Sequence, residues 1–77
     1  MDSKIVNIIN LIQLKENRKT LDKFDKNIRL RSDLGFDSLS LAELTVRIEN
    51  EFGVDIFEDG IVETLAEIIK KIKSRKK

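Results

Sequence analysis

The sequence contains no cysteine, no histidine and no proline. Without cysteine there is no disulfide framework and no thiolate nucleophile, and without histidine there is neither a Cys/His zinc site nor a Ser-His relay. A serine nucleophile would need a lysine base from a distant segment, so we expect the chain not to be an enzyme. The missing residue types therefore exclude most catalytic classes.

Long apolar runs are also missing, since no stretch approaches the roughly 18 uninterrupted apolar residues of a membrane span. The N-terminal MDSKIVNIINL carries an acidic residue where a secretion signal carries a basic cluster. We therefore expect a soluble, cytoplasmic protein. Its 77 residues, 40% of them hydrophobic, predict one small domain over residues 1–77. We also expect a monomer.

The net charge of +1 hides a strong segregation of charge along the chain. Residues 1–32 hold eight basic and four acidic side chains, residues 33–69 hold one basic and ten acidic, and residues 70–77 hold six basic. The acidic section should attract basic partner surfaces and repel nucleic acid. A small helical nucleic-acid or membrane-surface module would have to use the basic ends, and these lack interleaved aromatic residues.

Helical periodicity predicts an all-α bundle of three to four helices. The first helix should run from about residue 3 to 15, with Asp2 or Ser3 as its N-cap. The second should run from about 38 to 52 and end at Gly53. The last should begin near Glu63 or Thr64, because Thr64 and Glu67 have the spacing of a capping box. Its inward residues should be Leu65, Ile68, Ile69 and Ile72.

The periodicity fails between Lys15 and Asp37, which predicts a long first loop. Apolar residues along it should fix the loop to the core: Leu21, Phe24, Ile28, Leu30 and Leu34. The IRLR segment at 28–31 alternates like a strand, but no partner strand is evident. Residues 54–62 are too short for more than one turn, and residues 73–77 are expected to form a frayed basic tail.

Two apolar stripes can be drawn on the second helix. One, with three- and four-residue spacing, should face the core and consists of Leu41, Leu44, Ile48 and Phe52. The other contains Leu39, Ala42 and Val46. Periodicity alone leaves open whether the second stripe is buried in a broad core arc or forms a docking strip. Such a strip would be rimmed by Glu43, Arg47, Glu49 and Asn50.

The segment around Ser38 resembles the attachment site of acyl and peptidyl carrier proteins, which has a D-S-L triplet at the start of the second helix. Here the triplet is Asp37-Ser38-Leu39, within D-L-G-x-D-S-L at 33–39. The resemblance continues in E-x-E-F-G-V-D-I at 49–56 and in a terminal helix entered at a threonine. It covers nearly the whole chain.

The resemblance implies that Ser38 is an anchor rather than a catalyst. A phosphopantetheinyl transferase would attach the 4'-phosphopantetheine of coenzyme A to its hydroxyl, and the arm would supply the thiol that the sequence lacks. Acyl intermediates would then travel as thioesters between acyl-transferring and acyl-modifying enzymes of fatty-acid or related biosynthesis. The positive end of a helix suits the phosphodiester anion.

Other residues take roles by the same resemblance. Gly35 would permit the turn into the helix, either through a positive φ or through close approach of the arm. Asp37 would contribute to transferase recognition or serve as an ordinary N-cap. Partner enzymes would contact the second helix at Leu39, Ala42, Glu43, Val46, Arg47 and Glu49.

One alternative stays open and a second is discounted. Fatty-acid carriers are strongly acidic, whereas this chain is nearly neutral and places Arg47 in the second helix; a specialised carrier for an aminoacyl, polyketide or nonribosomal-peptide pathway would account for both. An EF-hand in DIFEDGIVETLA would use Asp55, Asp59 and Gly60, but Phe57 and Ala66 break its pattern. We expect no metal site.

Overall fold

Three helices make up the regular structure of the part that the computed structural model describes, namely residues 2–58, residue 60 and residues 62–75. Helix α1 spans Asp2–Lys15, α2 spans Ser38–Phe52 and α3 spans Leu65–Arg75. These ranges contain no strand. The all-α bundle with a long first loop is thus confirmed. The basic tail expected at 73–77 overlaps the end of α3, and residues 76 and 77 lie outside the described ranges.

Helix α1 forms one wall of the core. Ile5, Ile9 and Ile12 are fully buried, which confirms the helical spacing that predicted the element. The helix includes Asp2 and Ser3, so the prediction that one of them precedes it as the N-cap is wrong. Asp2 lies instead in the first turn, where its carboxylate complements the positive end of the helix dipole.

The C-terminus of α1 reverses the chain through a left-handed residue. Asn17 has φ of 60°, and its N–H donates to the carbonyl of Leu14 over 3.2 Å. The N–H of Arg18 donates to the backbone carbonyl of Gln13 over 2.7 Å. This pair of bonds is the Schellman arrangement, which satisfies carbonyls at a helix end. The reversal brings Arg18 back alongside the last turn of α1.

The long loop between α1 and α2 is held by the apolar residues that the sequence predicts. Leu30 and Leu34 are buried, while Leu21, Phe24 and Ile28 pack partly buried against the core. Two hydrogen bonds between Asn10 and Leu21 also hold the loop against α1. The side-chain amide of Asn10 accepts from the N–H of Leu21 over 2.7 Å and donates to the carbonyl of Leu21 over 3.0 Å.

The strand-like segment at 28–31 does have a partner, which is the entry to α3. Arg29 and Thr64 form an isolated antiparallel bridge, flanked by a bond from the N–H of Leu30 to the carbonyl of Glu63 over 2.7 Å. The capping box is confirmed, because Thr64 Oγ1 accepts from the N–H of Glu67 and Glu67 Oε1 accepts from the N–H of Thr64. The bridge and the hydrogen bond from Leu30 to Glu63 thus join the loop to the entry of α3.

Helix α2 packs against α1. Its Leu44 and Ile48 are fully buried in the core, and Leu41 and Phe52 are partly buried against it. It ends where predicted, at Gly53, whose φ of 71° is the left-handed conformation that glycine adopts without strain. Beyond it, a turn covers residues 56–58, and the described part of the chain has no fourth helix there. Buried residues of this connection are Val54, Ile56 and Val62.

Candidate functional site

Ser38 is the first residue of α2 and its side chain is exposed. The residue before it, Asp37, is the N-cap: its backbone is extended, with φ of −104° and ψ of −171°, and its carboxylate accepts from the N–H of Ser40 over 2.9 Å. The capping role that the sequence left as one of two alternatives for Asp37 is therefore confirmed. The hydroxyl of Ser38 sits at the positive end of the helix dipole, where an anionic substituent is favoured.

A polar network stands behind this cap. The hydroxyl of Ser40, which is buried, donates to Asp37 Oδ1 over 3.1 Å and accepts from Arg18 Nη1 over 3.2 Å. The guanidinium of Arg18 also lies 3.8 Å from Asp37 Oδ2. Hydrogen bonds from the backbone and hydroxyl of Ser40, assisted by the charge of Arg18, lower the pKa of Asp37. The cap is therefore held in its ionised form.

Gln13 connects the network to the core. Its side chain is only 2% exposed; Nε2 donates to the carbonyls of Lys19 and Leu34 over 3.2 and 3.1 Å, and Oε1 accepts from Arg18 Nη1 over 3.3 Å. Sequence reasoning missed both Gln13 and Arg18 as parts of the site. One signal existed, because Gln13 follows Ile9 by four residues and so places an amide on the buried face of α1.

Gly35 has φ of 75°, a conformation that residues with a Cβ rarely adopt. A Cβ built there would lie 3.7 Å from Cδ and Nε of Arg18, which is ordinary contact rather than a clash. The positive φ therefore accounts for glycine at this position. The next residue, Phe36, is buried, and the guanidinium carbon of Arg18 lies 5.9 Å from the centre of its ring.

Ser38 borders a surface cavity of about 260 Å³ that runs along the first two turns of α2. Leu41, Ala42 and Thr45 line one side, while Phe57 and Arg31 come from the two connecting segments. The cavity thus combines apolar walls, one hydroxyl and one cation next to the exposed hydroxyl of Ser38. Such a lining suits a group attached at Ser38 that has an anionic end and an apolar section.

The second apolar stripe of α2 lies outside the core. Leu39 is 78% exposed and Val46 is 57% exposed, and Ala42 between them is also exposed. Leu39, Ala42, Val46 and the exposed Glu49 follow one another at three- and four-residue spacing, so they share one face of the helix. The interpretation in which this stripe is part of a broad core arc is therefore wrong. An apolar strip remains available on the surface.

Two of the charged residues predicted to rim this strip are paired within the chain. Glu43 accepts from Nε of Arg47 over 2.9 Å and from Nζ of Lys15 over 3.3 Å. The hydrogen bond from Arg47 is the main cause that lowers the pKa of Glu43, and the contact with Lys15 adds to it. The acidic contact expected at Glu43 is thus largely neutralised by cations of the same chain, and Glu49 is more exposed than Glu43.

The described ranges also bear on the metal and membrane alternatives. No group of acidic side chains is placed to hold a metal ion among the residues that the structure describes. Asp55 caps its own turn, with Oδ1 accepting from the N–H of Phe57 over 3.0 Å, while Asp59 of the EF-hand hypothesis lies outside the described residues. None of α1, α2 and α3 has the length and apolarity needed to cross a bilayer.

An exposed serine at a capped helix start, beside an apolar cavity and strip on a small helical bundle, is the arrangement of a carrier domain. The family model that describes the phosphopantetheine attachment site matches residues 7–72. An acyl carrier protein from Rickettsia bellii strain OSU 85-389 is 31% identical over 99% of this chain and 91% of its own length. One from strain RML369-C is 33% identical over 99% of both chains. No solved structure matches the chain.

The chain belongs to the acyl carrier protein family, because the model covers most of it and relatives above 30% identity match nearly all of it. Members of this family are carriers rather than catalysts, and the prosthetic group of the matched domain is 4'-phosphopantetheine. The residues around Ser38 fit that group, because they provide an exposed hydroxyl, an adjoining apolar cavity and an arginine.

Proposed function

We propose that Ser38 is the residue to which 4'-phosphopantetheine is attached, and that the chain is a substrate of a phosphopantetheinyl transferase. The observation that carries this proposal is the position of Ser38, exposed at the first residue of α2 within the segment that the family model matches. In the transfer, Ser38 Oγ forms the new bond to phosphorus as the pyrophosphate bond of coenzyme A breaks. The phosphopantetheine half of coenzyme A stays on Ser38, adenosine 3',5'-bisphosphate is the leaving group, and the transferase takes the hydroxyl proton.

The surroundings of Ser38 prepare its hydroxyl for this role. The Asp37 cap and its bonds to Ser40 fix the first turn of α2, so that the Ser38 side chain points away from the core. Arg18 and Gln13 tie that turn to α1 and to the carbonyl of Leu34. The attached group supplies a terminal thiol, on which acyl groups are carried as thioesters.

The carrier delivers acyl intermediates between acyl-transferring and acyl-modifying enzymes of fatty-acid or related biosynthesis. Leu39, Ala42 and Val46 form the contact surface for these enzymes, since burying exposed apolar side chains favours association. Glu49 adds an acidic contact for basic partner surfaces.

A second candidate is a specialised carrier for an aminoacyl, polyketide or nonribosomal-peptide pathway. Its support is the neutralisation of Glu43 by Lys15 and Arg47, which reduces the acidic character of the α2 surface. The two candidates differ in cargo. The mass of the group that the arm bears in protein isolated from the native host distinguishes an acyl chain from an aminoacyl or peptidyl unit.

The attachment proposal is tested by incubating the purified chain with coenzyme A and a broad-specificity transferase and measuring its intact mass. We expect one phosphopantetheine per chain, none on Ser38→Ala, and normal addition to Ser32→Ala, which removes an exposed loop hydroxyl nearby. Circular dichroism checks that both variants are folded. Addition that persists in Ser38→Ala rejects the site, and no addition to the unaltered chain rejects the carrier function.

A further inference from the structure

Arg31 lines the cavity at Ser38 and has no side-chain partner among the residues that the structure describes. The structure describes the side chains of four arginines, and the other three are paired: Arg18 with Asp37 and Glu16, Arg29 with Glu63, and Arg47 with Glu43. For Arg31, no ion pair or side-chain hydrogen bond occurs among the described residues. An arginine with no carboxylate at ion-pair distance among the described residues is available to an anion from outside the chain.

The backbone of Arg31 is nevertheless fixed. Its carbonyl accepts from the N–H of Gly35 over 3.2 Å, and its neighbour Leu30 is fully buried and bonded through its N–H to the carbonyl of Glu63. The side chain therefore starts from a firm part of the loop, while its guanidinium remains free to orient. A site on such a base loses little backbone freedom when it binds.

The cavity has room beyond Arg31 for an apolar group. Leu41, Ala42 and Phe57 give it apolar walls, and its end at Thr45 lies seven residues from Ser38, about 10 Å along the helix axis. Any occupant tethered at Ser38 therefore meets the arginine and the apolar walls together.

We propose that Arg31 binds the phosphodiester formed at Ser38 and thereby holds the first section of the arm, with its geminal methyl groups, against Leu41 and Phe57. The inference rests on the proposed attachment at Ser38. Charge and tethering both favour this occupant, because the phosphodiester is an anion and its covalent link keeps it at the cavity. Arg18 and Arg29 serve less well, since each already contacts a carboxylate. The thiol end then lies beyond the cavity, accessible to enzymes.

The test compares the arm-bearing forms of the unaltered chain, Arg31→Gln and Arg29→Gln by NMR. Arg29→Gln is the matched control, because it removes the same charge two positions away from Arg31. Unlike Arg31, Arg29 is paired with a carboxylate, that of Glu63. Intact mass first establishes that each variant bears the arm. We expect nuclear Overhauser effects between the geminal methyl groups and the Phe57 ring in the unaltered chain and in Arg29→Gln, and their loss in Arg31→Gln.

A second readout is the change in Tm on attachment of the arm. It should be positive for the unaltered chain, smaller for Arg31→Gln, and reduced by salt, which screens an exposed arginine–phosphate contact. If the arm is attached but shows no contact with Phe57, or the contact persists in Arg31→Gln, the inference fails while the attachment proposal stands. If no arm is attached at all, both fail.

Discussion

Asp37 and Ser40 are joined by two hydrogen bonds to a single carboxylate oxygen. The N–H of Ser40 donates to Asp37 Oδ1 over 2.9 Å, and its hydroxyl donates to the same oxygen over 3.1 Å. The first turn of α2 is thus closed by the residue before Ser38, and Arg18 supports the closure from the other side of Ser40. The rigidity of the helix start around Ser38 depends on this pair.

The charge on Asp37 should make part of the stability pH-dependent. Its folded-state pKa lies below the ordinary value of 3.8, so the ionised cap's contribution is fully present above that value and is lost as the pH falls through the folded-state pKa. Asp37→Asn keeps an acceptor without the charge. Urea unfolding should find the variant less stable than the unaltered chain at neutral pH, and this difference in stability should be smaller at pH 2. A difference of the same size at both pH values would contradict this account.

Gln13→Ala should destabilise the chain by about 1–3 kcal/mol, because it leaves the carbonyl of Leu34 without its side-chain donor in a buried position. Asn7→Ala, at an exposed position of the same helix, is the control and should change stability by less than about 0.5 kcal/mol. Chemical denaturation measures both. Equal unfolding midpoints for the two variants would show that the amide of Gln13 contributes nothing.

The two faces of α2 should respond differently to truncation. Ile48 is fully buried, so Ile48→Ala should cost about 2–5 kcal/mol, a large share of the stability of a small domain. Val46 is 57% exposed, and Val46→Ala should change stability by about 0.5 kcal/mol or less. Thermal unfolding followed by circular dichroism compares them. An unchanged Tm for Ile48→Ala would mean that the core face has been misassigned.

Val46 should instead matter for partner enzymes. Truncation to alanine removes two methyl groups from the exposed strip, and at about 0.8 kcal/mol per buried carbon this should lower kcat/KM of a cognate enzyme roughly tenfold. Leu14→Ala is the control, since Leu14 is also aliphatic and is 65% exposed but lies on α1. If the two substitutions slow the enzyme equally, α2 has no special role in docking.

Local sequence signals predicted much of the fold. The bounds of α2, its stop at Gly53 and the capping box of Thr64 and Glu67 all depend on residues a few positions apart, and each is confirmed. The pairing of Arg29 with Thr64 was not predictable in the same way. It joins segments far apart in the chain, and a single bridge leaves no alternating pattern in the second segment.

The candidate site likewise has local features that the sequence predicted and long-range features that it did not. The D-S-L triplet and the Asp37 cap are local features, so the sequence could predict them. Whether Leu39 and Val46 are buried or exposed depends on how α2 packs, and the sequence left both outcomes open. The link from Arg18 to Ser40 depends on the left-handed turn at Asn17, which directs a loop side chain towards a helix 22 positions later. Composition and spacing carry no such information.

The position of the prosthetic group is the central claim, and peptide mass spectrometry of protein isolated from its native host tests it most directly. Ser32, Ser38 and Ser40 lie close together in the sequence, so fragmentation must assign the added mass to one side chain. We predict phosphopantetheine on Ser38 and on neither of the other two serines. A bare Ser38 in cells with an active transferase, or the group on a different residue, would contradict the account.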